Sequence, residues 1–237
     1  LHAHLPYVRH PESDYVLEEE WLFEAIIETY VPLIRMMEGF RSDGMDFKLT
    51  MTLSPPLIAM LQDELLQDRF DVHLAQLEEL IEKEIDRYEL HPHLKYLAEF
   101  YQQEFAKTRQ TWEAYDRDLV SAFKQFADSN NLDIMTCGAT HAYFPLMQMY
   151  PEAVWAQIKI AVDHYTQVFG RPPKGFWIPE CGYYNGLERM LADAGIRYFL
   201  IDGHGILYGQ PRPRFGTYAP VYTESGVAAF GRDQESS

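Results

Sequence analysis

The sequence predicts an α/β fold in which parallel strands alternate with helices as a sheet or a barrel. The first observation is that short apolar runs alternate along the chain with longer segments of helical periodicity. The second is that polar side chains suited to chemistry stand directly after the apolar runs, namely His2, His4, Ser54, His141, Glu180, Asp202 and His204. Because the active sites of α/β barrels gather at the C-terminal ends of the strands, these residues are expected on one face.

Four apolar runs predict strands, each followed by Pro, Gly, His or an acidic residue, as is typical where a strand passes into a loop. They are residues 47–53 (FKLTMTL), 132–137 (LDIMTC), 175–178 (GFWI) and 197–201 (RYFLI). The opening stretch, residues 1–7 (LHAHLPY), is interpreted as the C-terminal end of a further strand.

Helices are predicted between these runs, at residues 18–40, 56–88, 92–130, 151–169 and 186–194. Residues 56–130 are longer than one βα unit needs, so we expect a helical insertion there within a barrel domain that spans residues 1–237. The stretch 203–220, rich in Gly and Pro, is predicted to be a long loop, and such loops in compact domains are often functional.

Composition limits the kinds of partner. The formal net charge of −16 argues against nucleic acid and against an anionic membrane surface, whereas a neutral ligand such as a sugar is compatible with it. Two cysteines, Cys137 and Cys181, are too few for a secreted disulfide framework, which favours the cytoplasm. The sequence has no apolar run of membrane-spanning length and no recognisable signal peptide.

The first and last residues lead us to expect a piece of a longer protein. The chain begins on Leu1 at what is interpreted as a strand end, and residues 231–237 contain no predicted closing element.

The pair His2 and His4 has several interpretations. Alternate residues of a strand share a face, so the two rings could bind a metal together, as in barrel zinc hydrolases. They could equally donate hydrogen bonds to a sugar hydroxyl, or be strand-end histidines without a ligand. His141 and Asp202 with His204 repeat the arrangement after other strands, although Thr140 and His141 could simply cap the following helix.

Glu180 is the sharpest candidate for chemistry. It ends an apolar run and is flanked by Trp177 on one side and by Tyr183 and Tyr184 on the other. Aromatic rings suit the apolar face of a pyranose, and a retaining glycosidase needs a carboxylate nucleophile about 5 Å from a second carboxylic acid. The alternative is a solvated loop glutamate. Trp21, after an acidic run, is either a core residue or a further sugar platform.

Several segments, taken together and in order, resemble glycoside hydrolase family 57. They are LHAHLPYVRHPE (residues 1–12), TCGATHAYFPL (136–146), GFWIPECGYYNGLERMLADAGIRYFLIDGHG (175–205) and PVYTESGVAAFGRD (220–233). The resemblance is nearest to the family's enzymes that branch 1,4-α-glucan, and it covers essentially the whole chain. It implies an incomplete (β/α)7 barrel with an inserted helical region, a helical domain beyond residue 237, and a retaining double displacement on α-1,4-glucan without metal or organic cofactor.

The resemblance also assigns roles to residues. Glu180 matches the catalytic nucleophile, whereas His2, His4 and His141 match motifs that line the donor-sugar subsite. The remaining substrate-binding candidates are Trp177, Asp202, His204 and Trp21. The family's acid/base is an aspartate on a later strand, and no residue here matches its motif, so the chain alone is expected to be inactive.

Three alternatives stay open at this point. One is another activity of the same family, either an α-amylase or a 4-α-glucanotransferase. Another is a zinc-dependent hydrolase or deacetylase that uses His2, His4 and His141 with Asp202 or Glu180. The last is a glucan-binding piece without catalysis.

Overall fold

The structure is a computed structural model, and it describes residues 1–13, 15–233 and 235. Within them the strands are β1 (His2–Ala3), β2 (Leu49–Leu53), β3 (Leu132–Cys137), β4 (Gly175–Trp177), β5 (Tyr198–Ile201), β6 (Val221–Tyr222) and β7 (Ala228–Gly231). The α-helices are α1 (Leu17–Ala25), α2 (Val31–Ser42), α3 (Pro55–Leu61), α4 (Glu64–Arg87), α5 (Pro92–Ala114), α6 (Leu119–Asp128), α7 (Phe144–Met147), α8 (Pro151–Phe169), α9 (Leu187–Asp193) and α10 (Gly203–Leu207).

All seven strands form one sheet in the order β1-β2-β3-β4-β5-β7-β6. Every neighbouring pair from β1 to β7 is parallel, and only β6 is antiparallel to its neighbour β7. Parallel strands joined by helices are the pattern of an α/β fold, so the predicted fold class is confirmed. Because consecutive parallel strands point the same way, the residues that follow β1, β3, β4, β5 and β7 share one edge of the sheet.

The chain forms two compact units. The first contains the sheet and comprises residues 1–4, 49–57 and the described residues from 132 onward. Its core is apolar and fully enclosed, with Phe144, Phe176, Ile178, Leu187 and Phe199 among its buried side chains.

The second unit is helical and comprises residues 5–48 and 58–131. Helices α4 and α5 pack against each other, and the Phe70 ring meets the buried Trp112 edge-on at 4.7 Å between centroids. Residues 5–48 therefore belong to the same compact unit as the predicted helical insertion.

Three long helices were predicted where the structure has breaks. A π-helical turn, Ile26–Tyr30, separates α1 from α2. Asp63 starts α4 by accepting a hydrogen bond from the Leu66 N–H, and Asp118 does the same for α6 through the Ser121 N–H. Side-chain oxygens at these positions satisfy the free N–H groups of a new helix, which makes each a helix start instead of a helix interior.

The prediction of a plain loop over residues 203–220 was also wrong. Helix α10 begins there directly after Asp202, and a 3-10 turn covers Gly216–Tyr218. Strands β6 and β7 were not predicted. They form a hairpin whose turn contains Gly226 at φ 78°, a conformation that glycine adopts readily.

Candidate active site

Four aromatic rings from three parallel strands meet at the C-terminal edge of the sheet. His2 stacks on Trp177 with 4.2 Å between ring centroids and 15° between planes. His4 stacks on His141 at 3.6 Å and 10°. Strand β1 contains His2 and is followed directly by His4, the loop after β3 supplies His141, and β4 ends in Trp177. The structure thus brings together four of the predicted site residues.

Hydrogen bonds fix the orientation of the histidine rings. The Nε2 atoms of His2 and His141 lie 3.2 Å apart. His4 Nδ1 lies 3.0 Å from Oγ of the buried Ser54, which also accepts a hydrogen bond from the Leu57 N–H at 3.4 Å. The Ser54 hydroxyl can accept this second hydrogen bond or donate it, according to the tautomer of His4.

The histidines of this cluster are neutral near pH 7. Desolvation, followed by the neighbouring His141 and His4, lowers the pKa of His2 to about 3. Desolvation and then His141 lower the pKa of His4 to about 4. Desolvation also lowers the pKa of His141, although the Glu180 carboxylate opposes this. Neutral imidazoles can both donate and accept hydrogen bonds, which suits an uncharged hydroxylated ligand.

Glu180 lies in a strained turn directly after β4. Residues Pro179–Cys181 form a tight turn whose backbone is not helical, since Glu180 has φ 52° and Cys181 has φ 53°. His141, across the cluster, has φ 56°. Positive φ values are rare for residues other than glycine and concentrate at functional sites. Glu180 is exposed, and its effect on the pKa of His141 shows that it lies within electrostatic reach of the ring cluster.

Backbone hydrogen bonds and close packing hold this turn in place. The Cys181 N–H donates to the Ile178 carbonyl at 2.8 Å. A Cβ atom at Gly182 would lie 2.5 Å from Cε2 of Tyr143 and 2.9 Å from Cδ of Pro145, so only glycine fits there without displacement. A side chain two residues after Glu180 would therefore displace Tyr143 or Pro145.

The tyrosines that follow Glu180 are not free sugar platforms. Tyr183 stacks on Phe199 with 5.6 Å between centroids, and its hydroxyl donates to Glu188 at 2.8 Å. Tyr184 also packs against the hydrophobic core. Trp177 is thus the aromatic ring that stacks within the histidine cluster, and contact of the two tyrosines with a sugar stays a prediction.

An ion pair that the sequence did not reveal occupies the next strand ends. Arg232, directly after β7, places Nη1 3.4 Å from Oδ1 of Asp202. His204 Nδ1 lies 4.0 Å from Oδ2 of the same carboxylate. The Arg232 guanidinium also lies 5.8 Å from the centroid of a Trp177 ring. Arg232 follows an apolar run, as Glu180 does, and this was the signal in the sequence that could have marked it as a site residue. The signal becomes informative once β7 is known to pair with β5, because Arg232 and Asp202 then follow neighbouring strands.

A cavity of about 750 Å³ opens beside these residues. It is lined by Leu1, His2, Thr50, Asp133, Trp177, Tyr198, Leu200, Phe230, Gly231, Arg232 and Asp233. Within the described part of the chain, the buried Trp177 Nε1 atom has no hydrogen-bond acceptor. The cavity is large enough for a small ligand and has apolar and polar walls.

Trp21 lies on α1 in the helical unit and is 49% exposed, and its predicted contact with substrate stays a prediction. In residues 1–13, 15–233 and 235, no three His, Cys, Asp or Glu side chains are placed to hold a metal ion. The parallel stacking of His4 on His141 keeps their nitrogens in separate planes instead of aiming them at one point.

None of the helices in the described residues combines the length and apolarity needed to cross a bilayer.

The fold and the strand-end site define an α/β barrel-type protein with an exposed carboxylate beside stacked imidazole and indole rings. The model described as glycosyl hydrolase family 57 matches residues 1–237, and the chain belongs to that family. This confirms the family predicted from the sequence.

Individual relatives differ in activity. The α-amylase AmyC from Thermotoga maritima, whose crystal structure is known, is 46% identical in sequence to this chain. The two structures have a TM-score of 0.96 over 100% of this chain and 45% of that one. A GH57-type branching enzyme from Pyrococcus horikoshii is 30% identical, with a TM-score of 0.90 over 99% of this chain and 46% of that one. The 1,4-alpha-glucan branching enzyme of Thermococcus kodakarensis is 30% identical over 100% of this chain and 38% of its own length. The chain thus spans less than half the length of these relatives.

Proposed function

We propose that this chain is part of the catalytic domain of a 1,4-α-glucan branching enzyme that acts by a retaining double displacement, with Glu180 as nucleophile. The observation that carries the proposal is the exposed Glu180 carboxylate, held in a positive-φ turn beside neutral histidines and Trp177. Similarity to two archaeal branching enzymes supports the choice of reaction.

In the first step, a Glu180 carboxylate oxygen attacks the anomeric carbon of an α-1,4-linked donor. The glycosidic C–O bond breaks, and an acid/base residue protonates the leaving oxygen. None of the carboxylates in this chain matches the family's acid/base motif, so we assign that proton to an aspartate supplied by another part of the complete protein. Asp202 is not used for this role because it does not match that motif and is paired with Arg232.

In the second step, the C6 hydroxyl of an acceptor glucan gives its proton to the same aspartate and attacks the anomeric carbon. The bond to Glu180 breaks, and an α-1,6 branch forms. Transfer exceeds hydrolysis only if the acceptor is held in place and water is kept from the glycosyl-enzyme.

The ring cluster supports a neutral sugar in the donor subsite. His2, His4 and His141 carry no charge near pH 7, so their ring nitrogens can donate to a sugar hydroxyl or accept from one without a charge being buried. The Trp177 face offers the apolar surface on which a pyranose stacks. Asp202 and His204 extend this polar rim at the end of β5.

A second candidate is an α-amylase, which the 46% identity to AmyC favours. The nucleophile and the donor subsite would be the same, and water would replace the C6 hydroxyl in the second step. The two activities differ in the acceptor that the complete protein uses, a glucan hydroxyl or water.

We also propose a cytoplasmic location and a role in glycogen synthesis. The two free thiols, Cys137 and Cys181, accord with the cytoplasmic location.

The test uses the complete protein that contains this chain, incubated with amylose. We expect new α-1,6 linkages, detected by their anomeric proton signals, without a matching rise in reducing ends; a rise in reducing ends alone favours the amylase. Glu180→Gln should lower the rate by at least about 10³-fold because the nucleophile is lost. The matched control is Glu224→Gln, whose side chain is 93% exposed and which should react normally. An active Glu180→Gln variant contradicts the assignment.

A further inference from the structure

Arg232 is anchored by its backbone at the end of the sheet. Its N–H donates to the Ile201 carbonyl at 2.9 Å, which extends the parallel pairing of β5 and β7 by one residue. The start of the side chain is therefore fixed by the sheet itself, not by a mobile loop.

From this position, the guanidinium contacts residues at the ends of two other strands. Besides pairing with Asp202 after β5, it lies near the Trp177 ring on β4, with 5.8 Å to the ring centroid. Burial raises the pKa of the Cys181 thiol in the turn after β4, and the nearby Arg232 opposes this effect. A planar group with several donors can pair with a carboxylate and lie near an indole at once. The side chain remains 42% exposed, so these contacts are made at the open rim of the site.

Trp177 and Cys181 flank Glu180 in the sequence. Trp177 precedes it by three residues, and Cys181 follows it directly. Both Glu180 and Cys181 have positive φ, a conformation that persists only where surrounding contacts hold it. The backbone hydrogen bonds of the turn restrain it, and the Arg232 guanidinium lies beside the Trp177 ring that precedes the turn.

We propose that Arg232 is a positioning residue, which holds Trp177 and the Glu180–Cys181 turn in the orientation needed for attack on the anomeric carbon. This inference rests on the proposed function of Glu180. It predicts that the loss of Arg232 acts mainly on the chemical step, because a nucleophile displaced by about 1 Å can cost about 10²-fold in rate.

The test compares Arg232→Met and Arg232→Lys with Arg189→Met in the complete protein acting on amylose. Arg189 lies on α9 with 71% of its side chain exposed, so its replacement controls for the loss of a surface charge. We expect kcat to fall about 10- to 100-fold in Arg232→Met with KM within about threefold. Arg232→Lys keeps the charge but not the planar fork, so its kcat should lie between that of Arg232→Met and that of the parent protein.

A second readout does not depend on activity. Arg232 lowers the pKa of the Cys181 thiol, against the larger effect of burial, which raises it. In Arg232→Met, alkylation of Cys181 by iodoacetamide should therefore need a higher pH than in the parent protein. Cys137 is fully buried, and a Cys181→Ser variant identifies its background labelling.

The outcomes separate the two proposals. If Glu180→Gln is inactive but both Arg232 variants keep the parental kcat, the positioning role is overturned and the proposed function stands. If the parent protein does not act on glucans, the proposed function fails. If the pH dependence of Cys181 alkylation is also unchanged in Arg232→Met, the inferred effect of Arg232 on the turn is overturned as well. If Arg232→Met does not fold, as judged by its thermal unfolding, Arg232→Lys decides.

Discussion

His2 and His4 show how neighbouring rings set the charge of single residues. Each ring removes part of its neighbour from water, and a second positive charge beside the first is unfavourable, so both effects favour the neutral form. The residue types were predictable from the HAH motif, but the stacking with His141 and Trp177 was not. It depends on strand order, which places β1 and β4 on the same sheet, and not on any local sequence signal.

Acidification should therefore destabilise the protein through these two histidines. An unfolded histidine titrates near 6.5, whereas folded His2 and His4 titrate at about 3 and about 4, so the unfolded state binds more protons between these values. Their contribution to the free energy of unfolding is complete above pH 6.5 and is lost as the pH falls toward 4. Urea unfolding at pH 8 and at pH 5 measures it.

The contribution of His4 is isolated by His4→Gln, which can still hydrogen-bond Ser54. Its difference in stability between pH 8 and pH 5 should be smaller than that of the parent protein. Histidine NMR signals of the parent that titrate near 6.5 for both residues would contradict the assignment.

At the scale of the element, α1 depends on a buried ion pair with α4. Arg69 Nη1 lies 2.5 and 2.7 Å from the two oxygens of Glu19, and it also donates to the His10 carbonyl. The His10 N–H donates back to Glu19 at 3.1 Å. The pair therefore joins both helices to the segment that precedes α1.

Arg69→Met should be strongly destabilising. It leaves the Glu19 carboxylate, whose side chain is only 3% exposed, without its cation, and such a loss typically costs about 3–5 kcal/mol. The control is Lys83→Met on the same helix, whose partner Glu79 is 68% exposed, with an expected cost below about 1 kcal/mol. Denaturant unfolding measures both. Glu19→Leu combined with Arg69→Met should recover stability, and a double variant no better than the single one contradicts this account.

The elements also show what the sequence could specify. Strand β3 and helix α8 have the bounds that their apolar patterns predict, since both are flanked by clear turn residues. The breaks between α3 and α4 and between α5 and α6 were missed because Asp63 and Asp118 look like ordinary helix-surface residues until their caps are seen. In the acidic run before Trp21, no local signal marks Glu19 as the buried one, because its partner is 50 residues away.

At the scale of the whole molecule, charge is the dominant feature. There are 36 acidic residues against 20 basic ones, which gives a net charge of −16. Many of the ion pairs lie on the surface, as in Lys159 with Asp163 or Lys124 with Asp128, and such pairs contribute about 0–1 kcal/mol each. Repulsion among the excess carboxylates acts over the whole surface, so it should outweigh them.

Added salt is therefore expected to stabilise this chain. Raising NaCl from about 0.01 M to about 0.1 M shortens the screening length from about 30 Å to about 10 Å, which weakens long-range repulsion more than contact pairs. If screening contributes about 1 kcal/mol, Tm should rise by about 2–4 °C for a chain of this size. Differential scanning calorimetry at constant pH measures the shift, and KCl should act like NaCl because the effect depends on ionic strength alone. A Tm that falls over this range would mean that the ion pairs, not the net charge, dominate the electrostatic free energy of folding.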